Sequence, residues 1–168
     1  TETFPLALED VPAENAYSDE AVMLYSEGLN VGYRYFDTFG VPVLFPFGFG
    51  LSYSQFSYCN LSVEKCGNDA KLCFDIENLS DIDGKEVAQV YVREITREVY
   101  RPYKELKAFK KVFVKARNKT RVEITLDRSA FAYYSVAKDC WTVHGGVFEI
   151  LVGASSENIL LKNKIVID

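Results

Sequence analysis

The sequence predicts an all-β sandwich behind an extended, aromatic-rich N-terminal arm, and three observations carry that expectation. Apolar and polar residues alternate with period two in about seven short segments after residue 54. Turn-forming residues fall between those segments. Eleven of the 24 aromatic residues crowd into the fifth of the chain between Tyr25 and Tyr58.

The alternation is clear in each segment. Leu61 and Val63 alternate with Ser62 and Glu64, and Leu72, Phe74 and Ile76 with Lys71, Cys73 and Asp75. Ala88, Val90 and Val92 alternate with Gln89, Tyr91 and Arg93, and Val122, Ile124 and Leu126 with Arg121, Glu123 and Thr125. Phe148, Ile150 and Val152 alternate with Glu149 and Leu151, and Ile165 and Ile167 close the series. Such a period predicts strands with one buried and one wet face, as in antiparallel sheets. Gly67-Asn68, Asp83-Gly84, Arg117-Asn118 and Gly145-Gly146 stand where reversals are needed, and Asn, Asp and Gly accept positive φ at low cost. A hairpin at Asp83-Gly84 is expected, with Gly84 at positive φ. Seven strands in about 110 residues form the pattern of an immunoglobulin-like or fibronectin type III sandwich. The Cys, Trp, Cys spacing of antibody domains is absent, which favours the fibronectin-like branch.

Residues 1–53 read as a separate arm and 54–168 as the sandwich. Thr1 to Ala16 is rich in proline and acid, hence extended or loop-like. Ser18 is suited to cap a short helix ending near Ser26 with Gly28 as its stop, although Tyr25 to Asp37 can equally run extended. The stretch Val41 to Tyr53 holds two prolines and cannot bury its rings alone. Phe45, Phe47 and Phe49 share one parity and would point to one side of an extended run.

Composition excludes several classes. With 48% apolar residues a real core can form, so disorder is not expected. The longest nearly apolar run, Val41 to Phe47, is far short of the about 20 residues needed to cross a bilayer, and no membrane is expected as a partner. The chain opens on Thr1 without a basic-then-apolar leader, as a piece of a longer polypeptide would. The net charge of −5 conceals a stripe from Arg93 to Arg121 with eleven Lys or Arg and three acids. Its charges alternate with Val112, Val114, Val122 and Ile124, as on a solvated strand face, so nucleic acid is not expected either. Cys59, Cys66, Cys73 and Cys140 show no zinc spacing. Cys66 and Cys73 could face each other across a hairpin, but reduced strand cysteines are favoured. Asn60, Asn78 and Asn118 open N-x-S/T sequons.

No catalytic, cofactor or metal motif is complete. His144, the single histidine, precedes Gly145-Gly146 and reads as a turn residue, and no G-x-S-x-G elbow exists. Gly48-Phe49-Gly50 lacks the third glycine and the helix of a phosphate loop and reads as a tight turn. Asp81-Ile-Asp83-Gly84 places Leu79 at the first ligand position of an EF-hand, which excludes that site. Glu27 is the least ordinary acid, but a capping role suffices for it.

Two stretches carry more information. Tyr25-Ser-Glu-Gly-Leu-Asn-Val-Gly-Tyr-Arg-Tyr-Phe-Asp37 with Leu44-Phe-Pro-Phe-Gly-Phe-Gly-Leu-Ser-Tyr53 resembles the end of the α/β sandwich domain of glycoside hydrolase family 3. Arg101-Pro-Tyr-Lys-Glu-Leu-Lys-Ala-Phe109, Thr125-Leu-Asp-Arg-Ser-Ala-Phe131 and Gly146-Val-Phe-Glu-Ile-Leu-Val-Gly-Ala-Ser155 resemble that family's fibronectin type III-like domain. Phe49 and Ala108 stand where the family more often has Tyr and Gly. The resemblance implies a parent that is a retaining, β-glucosidase-like enzyme. Its nucleophilic aspartate would lie on a TIM-like barrel and its acid/base glutamate upstream of Tyr25, so neither falls in this chain. It further implies an accessory module with Tyr33, Arg34, Tyr35, Phe36, Phe45, Phe47 and Phe49 as docking residues. The expected partners are the parent's catalytic domains, which would act on a β-linked oligosaccharide or glycoside, and a second copy meeting through the arm. No cofactor is called for. The alternative is a self-standing fibronectin type III-like module that binds sugar or mediates adhesion.

Overall fold

The computed structural model describes residues 2–13, 25–96 and 98–168. Seven strands build a two-layer antiparallel sandwich. One layer holds β3 (Phe56–Cys66), β4 (Asp69–Asn78) and β7 (Lys119–Leu126), in the order β3-β4-β7. The other holds β5 (Gly84–Glu94), β6 (Glu105–Val114), β10 (Gly146–Gly153) and β11 (Ile159–Ile167), in the order β11-β10-β5-β6. Their alternating inward residues, among them Leu72, Phe74, Ile76, Val90, Val122 and Ile150, form one continuous core. A short hairpin of β8 (Tyr133–Ser135) and β9 (Cys140–Thr142) stands off the end of β7.

The β3–β4 hairpin turns at Gly67-Asn68 as expected, with Cys66 opposite Asp69. Asn60, at φ 59°, makes a bulge that sets two residues against one on β4. Cys73 lies opposite Ser62, so it does not face Cys66, and all four thiols are free.

The expected hairpin at Asp83-Gly84 is not formed. β4 and β5 lie in different layers, and residues 79–83 cross from one to the other. Gly84 has no positive φ. A glycine is required there for a different reason: a Cβ would stand 2.7 Å from the Phe56 ring and from Ser54 Oγ. Arg117-Asn118 likewise joins two layers, β6 to β7. Neither Gly145 nor Gly146 takes a positive φ.

Asn78, fully buried, fastens the first crossover. Its Nδ2 donates to the carbonyls of Ile82 (2.8 Å) and Val114 (3.2 Å), and its Oδ1 accepts from Ser80 N–H (3.0 Å). This sequon therefore has no room for a glycan in the folded chain. Asp83 accepts from Ala116 N–H at 2.8 Å, and Asp81 pairs with Arg117 at 2.7 Å, so the acids of the calcium-like run tie the two crossovers together.

The arm is more ordered than an extended run. β1 (Phe4–Pro5) pairs with β2 (Val43–Phe45), and a helix, α1, spans Tyr33–Phe39. The extended alternative for Tyr25 to Asp37 is thus replaced by a turn closed by Asn30 N–H on the Glu27 carbonyl, followed by α1. Aromatics and Thr are mediocre helix formers, and tertiary packing holds this helix between Gly32 and a left-handed Gly40 cap. The helix expected over Ser18 to Ser26 lies largely outside the described residues.

Replacing Asn78 with Ala strands two carbonyls and an amide in the crossover. Asn78→Ala is expected to lower the unfolding free energy by about 2–4 kcal/mol, read as a lower urea midpoint with an unchanged m value.

Candidate docking face and its charged anchor

The two stretches that carried the resemblance lie against each other. α1 packs over the segment Arg101 to Leu106 on the outer side of the four-stranded layer. Tyr33 Oη accepts from Leu106 N–H at 2.7 Å, and Thr38 Oγ1 accepts from Tyr103 N–H at 2.9 Å. Asp37 pairs with Lys104 at 2.7 Å with both side chains almost wholly buried, and Arg34 approaches Glu105 at 3.8 Å. Burial pushes the Asp37 carboxyl up, against the pull of Lys104.

Beneath this contact Arg101 is buried in a charged cluster. Its guanidinium donates to Glu105 at 2.6 and 3.1 Å, to Glu94 at 3.4 Å, and to the carbonyls of Phe131 (2.9 Å) and Ala132 (3.2 Å). His144 Nε2 lies 2.6 Å from the other Glu94 oxygen, and its ring meets Tyr133 edge-on at 5.4 Å. His144 is therefore a cluster member and not a plain turn residue. Burial favours a neutral Glu105, but Lys107, Arg101 and Arg34 outweigh it and hold this carboxyl below its ordinary value. Lys107 itself is lowered, first by burial and then by Arg101 and Arg34.

A second fastening joins the turn after β2 to the sandwich. Phe49 N–H donates to the Pro46 carbonyl at 3.0 Å, with Gly48 at φ 84°. A Cβ on Gly48 would collide with the Gln89 amide. That amide donates to the carbonyls of Gly48 (3.3 Å) and Ala154 (2.6 Å) and accepts from Tyr91 Oη at 2.6 Å. Ser156 N–H donates to the Phe47 carbonyl at 2.8 Å. Gln89 and Tyr91, expected on a wet face, are both buried because the arm covers that side of β5.

The turn also breaks the shared direction expected of Phe45, Phe47 and Phe49. Phe47 goes inward onto Tyr33, with centroids 4.9 Å apart, and Tyr33 in turn meets Tyr91 edge-on at 5.9 Å. Phe45 and Phe49 instead meet each other at 5.0 Å and stay half exposed. Phe36 is buried, and Tyr35 packs between Phe36 and Phe39. The arm thus uses Tyr33, Arg34 and Phe47 on its own sandwich. It presents Leu44, Phe45 and Phe49 outward, with Leu51 92%, Tyr53 97% and, on β6, Phe109 69% exposed. An open groove runs from Phe47 through Ser52 to Glu86, Leu106 and Phe109 along this face.

Much of the basic stripe is paired or stacked. Arg93 stacks on Tyr103 and pairs with Glu149, and Arg117, Lys119 and Arg121 meet Asp81, Glu77 and Asp75. Among the described residues no group of His, Cys, Asp and Glu is placed to hold a metal, and no helix is long and apolar enough to cross a membrane.

Residues 86–156 match the family described as a fibronectin type III-like domain. The chain is 43% identical to thermostable beta-glucosidase B of Acetivibrio thermocellus, over 98% of this chain and 22% of that protein. It is also 43% identical to an exo-alpha-(1->6)-L-arabinopyranosidase of Bifidobacterium breve, over 94% of this chain and 21% of that protein. A crystal structure of a Bifidobacterium adolescentis GH3 beta-glucosidase superposes with a TM-score of 0.95 at 40% identity, over 99% of this chain and 25% of that one. The likeness covers arm and sandwich together. The chain belongs to glycoside hydrolase family 3. Within the family it is the region that carries the fibronectin type III-like domain, and it spans about a fifth to a quarter of the length of these relatives.

Sequence reasoning did not find Gln89, Lys104 or Arg101. An aromatic, Tyr91, on the side of β5 read as wet was the one available sign that this face is covered.

The Glu105 carboxylate has a folded pKa below its ordinary 4.5. Its contribution to stability is therefore complete above that value and lost as pH falls through the lower folded value. Glu105→Gln is expected to cost about 3 kcal/mol at neutral pH by leaving Arg101 underpaired. The gap from the parent chain should narrow below about pH 4.5, as read from urea midpoints across pH.

Proposed function

We propose that this region is an accessory module of a retaining, β-glucosidase-like protein. It docks on that protein's catalytic domains and stabilises them through the outward side of the arm and the neighbouring surface of β6. The supporting observation is the two-sided arm. One side is fastened to the sandwich by Tyr33, Phe47, Asp37 and the Gln89 contacts. The other leaves Leu44, Phe45, Phe49, Leu51, Tyr53 and Phe109 in water. Phe49, Leu51 and Phe109 line one open groove, and exposed apolar side chains gathered in this way mark an interaction site. The relatives are longer proteins, and those named above are called beta-glucosidases and an arabinopyranosidase. Catalysis would belong to their remaining length. Glycoside hydrolysis needs two carboxylates across a sugar pocket, and three clefts among the described residues contain a single carboxylate each: Glu86, Asp127 and Glu157. Alone, the chain would cover its apolar face by pairing with a second copy.

Two outcomes test the proposal. The purified chain is expected to release no chromophore from an aryl β-glucoside. Turnover that disappears on changing one of its own acids would place catalysis here instead. The variant Leu51→Ser, Tyr53→Ser, Phe109→Ser is expected to leave the melting temperature of this chain within the range of neutral surface changes, about 0.5 kcal/mol per site. Joined to the catalytic portion of the protein, the same variant should lower the melting temperature by several degrees. It should also abolish self-association of the isolated chain in sedimentation velocity. No effect in either setting would remove this face as a docking element.

A further inference from the structure

The β8–β9 hairpin carries a feature that docking does not use. Trp141 on β9 is 72% exposed, and its cross-strand neighbour Tyr134 meets it edge-on at 5.8 Å. Tyr134 is itself held by a hydrogen bond from its hydroxyl to Asp139. The indole is therefore presented to solvent with Tyr134 bracing one side of it. Beside it opens a cleft lined by Trp141, Lys107, Thr125, Asp127 and Ser129, with Leu126 and Ala130 at its base. This cleft shares no lining residue with the groove along the arm.

The lining is one aromatic ring bordered by hydrogen-bonding groups of both kinds. Asp127 caps the following 3-10 turn through one oxygen, which accepts from Ser129 N–H at 2.8 Å, and leaves Oδ2 free to accept from a ligand. The Lys107 ammonium gives one proton to Glu105 and has others to donate. The Thr125 hydroxyl can do either, and the Ser129 hydroxyl, whose proton goes to Asp127 Oδ1, can accept. A protein partner needs about 800 Å² per side, and one ring with four polar side chains does not supply that. A pyranose matches the lining: its C–H face is apolar and covers an indole, while its equatorial hydroxyls radiate toward donors and acceptors at the rim. We propose that the Trp141 cleft is a carbohydrate-binding subsite for a pyranose with equatorial hydroxyls, such as the terminal glucose of a β-linked disaccharide. It is separate from the docking face and independent of it.

Trp141 is the only tryptophan in the chain, so its emission reports this site alone. Titration of the chain with cellobiose is expected to change that emission saturably, with half-saturation on the order of 1–10 mM, as suits a small, solvent-exposed ligand. Methyl β-D-galactoside, whose axial hydroxyl disturbs the rim contacts, should bind several-fold more weakly. By calorimetry, Trp141→Ala should lose binding at least about tenfold, the loss of one aromatic contact surface. Asp127→Asn, which keeps an oxygen for the cap, should weaken binding severalfold while circular dichroism stays unchanged. No saturable response up to about 100 mM cellobiose, below even millimolar affinity, would overturn the proposal. Calorimetric binding retained by Trp141→Ala would overturn it equally, by placing the sugar elsewhere. So would an emission change that follows protein concentration without sugar, which would make the cleft a contact between copies.

Discussion

The buried charges between α1 and the Arg101 to Leu106 segment constrain the rest of this structure. Lys104 and Asp37 are almost wholly withdrawn from water, and Arg101 meets two carboxylates and two carbonyls. Desolvating such groups is costly, and only a complete set of partners offsets it. A pair of this kind adds little net stability compared with an apolar pair, but it penalises any other placement of the arm heavily. Sliding α1 by one residue would strand Lys104, the Tyr33 contact and the Thr38 contact together. The arm is thereby registered on the sandwich through chemistry that tolerates no alternative.

That registration decides which rings are available to a partner. Because Tyr33 and Phe47 are committed inward, Phe45 and Phe49 are turned outward across the positive-φ turn at Gly48. The Gln89 amide holds the turn so closely that no side chain fits at Gly48. Arm and sandwich consequently offer a preformed surface. Binding through a preformed surface avoids much of the ordering cost that a loose tail would incur.

The relatives sharpen what such a region contributes. A beta-glucosidase and an arabinopyranosidase are equally similar to this chain over nearly its whole length. Two different named activities at the same identity are what a region common to both would show if sugar choice were made elsewhere. The Trp141 hairpin lies apart from the groove along the arm, so a contact with sugar there would be additional to that choice.

Much of the sandwich was legible in the sequence, because period two is a local property of the chain and one face of every strand meets the same core. Six of the seven strands, the Gly67-Asn68 hairpin and the fibronectin-like class follow from it; the strand Glu105–Val114 does not alternate over most of its length and was not legible in this way. The family resemblance was legible for a related reason: its motifs hold the residues that clamp arm to sandwich, from Tyr33 to Thr38 and from Arg101 to Leu106. Other features were decided only in three dimensions. A turn between two strand patterns looks the same whether it joins neighbours in one sheet or crosses between layers, so Asp83-Gly84 and Arg117-Asn118 could not be told from hairpins. The alternation at Gln89 and Tyr91 reads as solvent-facing until the arm is laid over it. α1 forms from residues of modest helix propensity because packing against Tyr91 and Leu106 holds it. The sequence by itself determined the strands and the family; which faces are covered, and which aromatics remain for a partner, rested on contacts between residues some 70 positions apart, which no local pattern records.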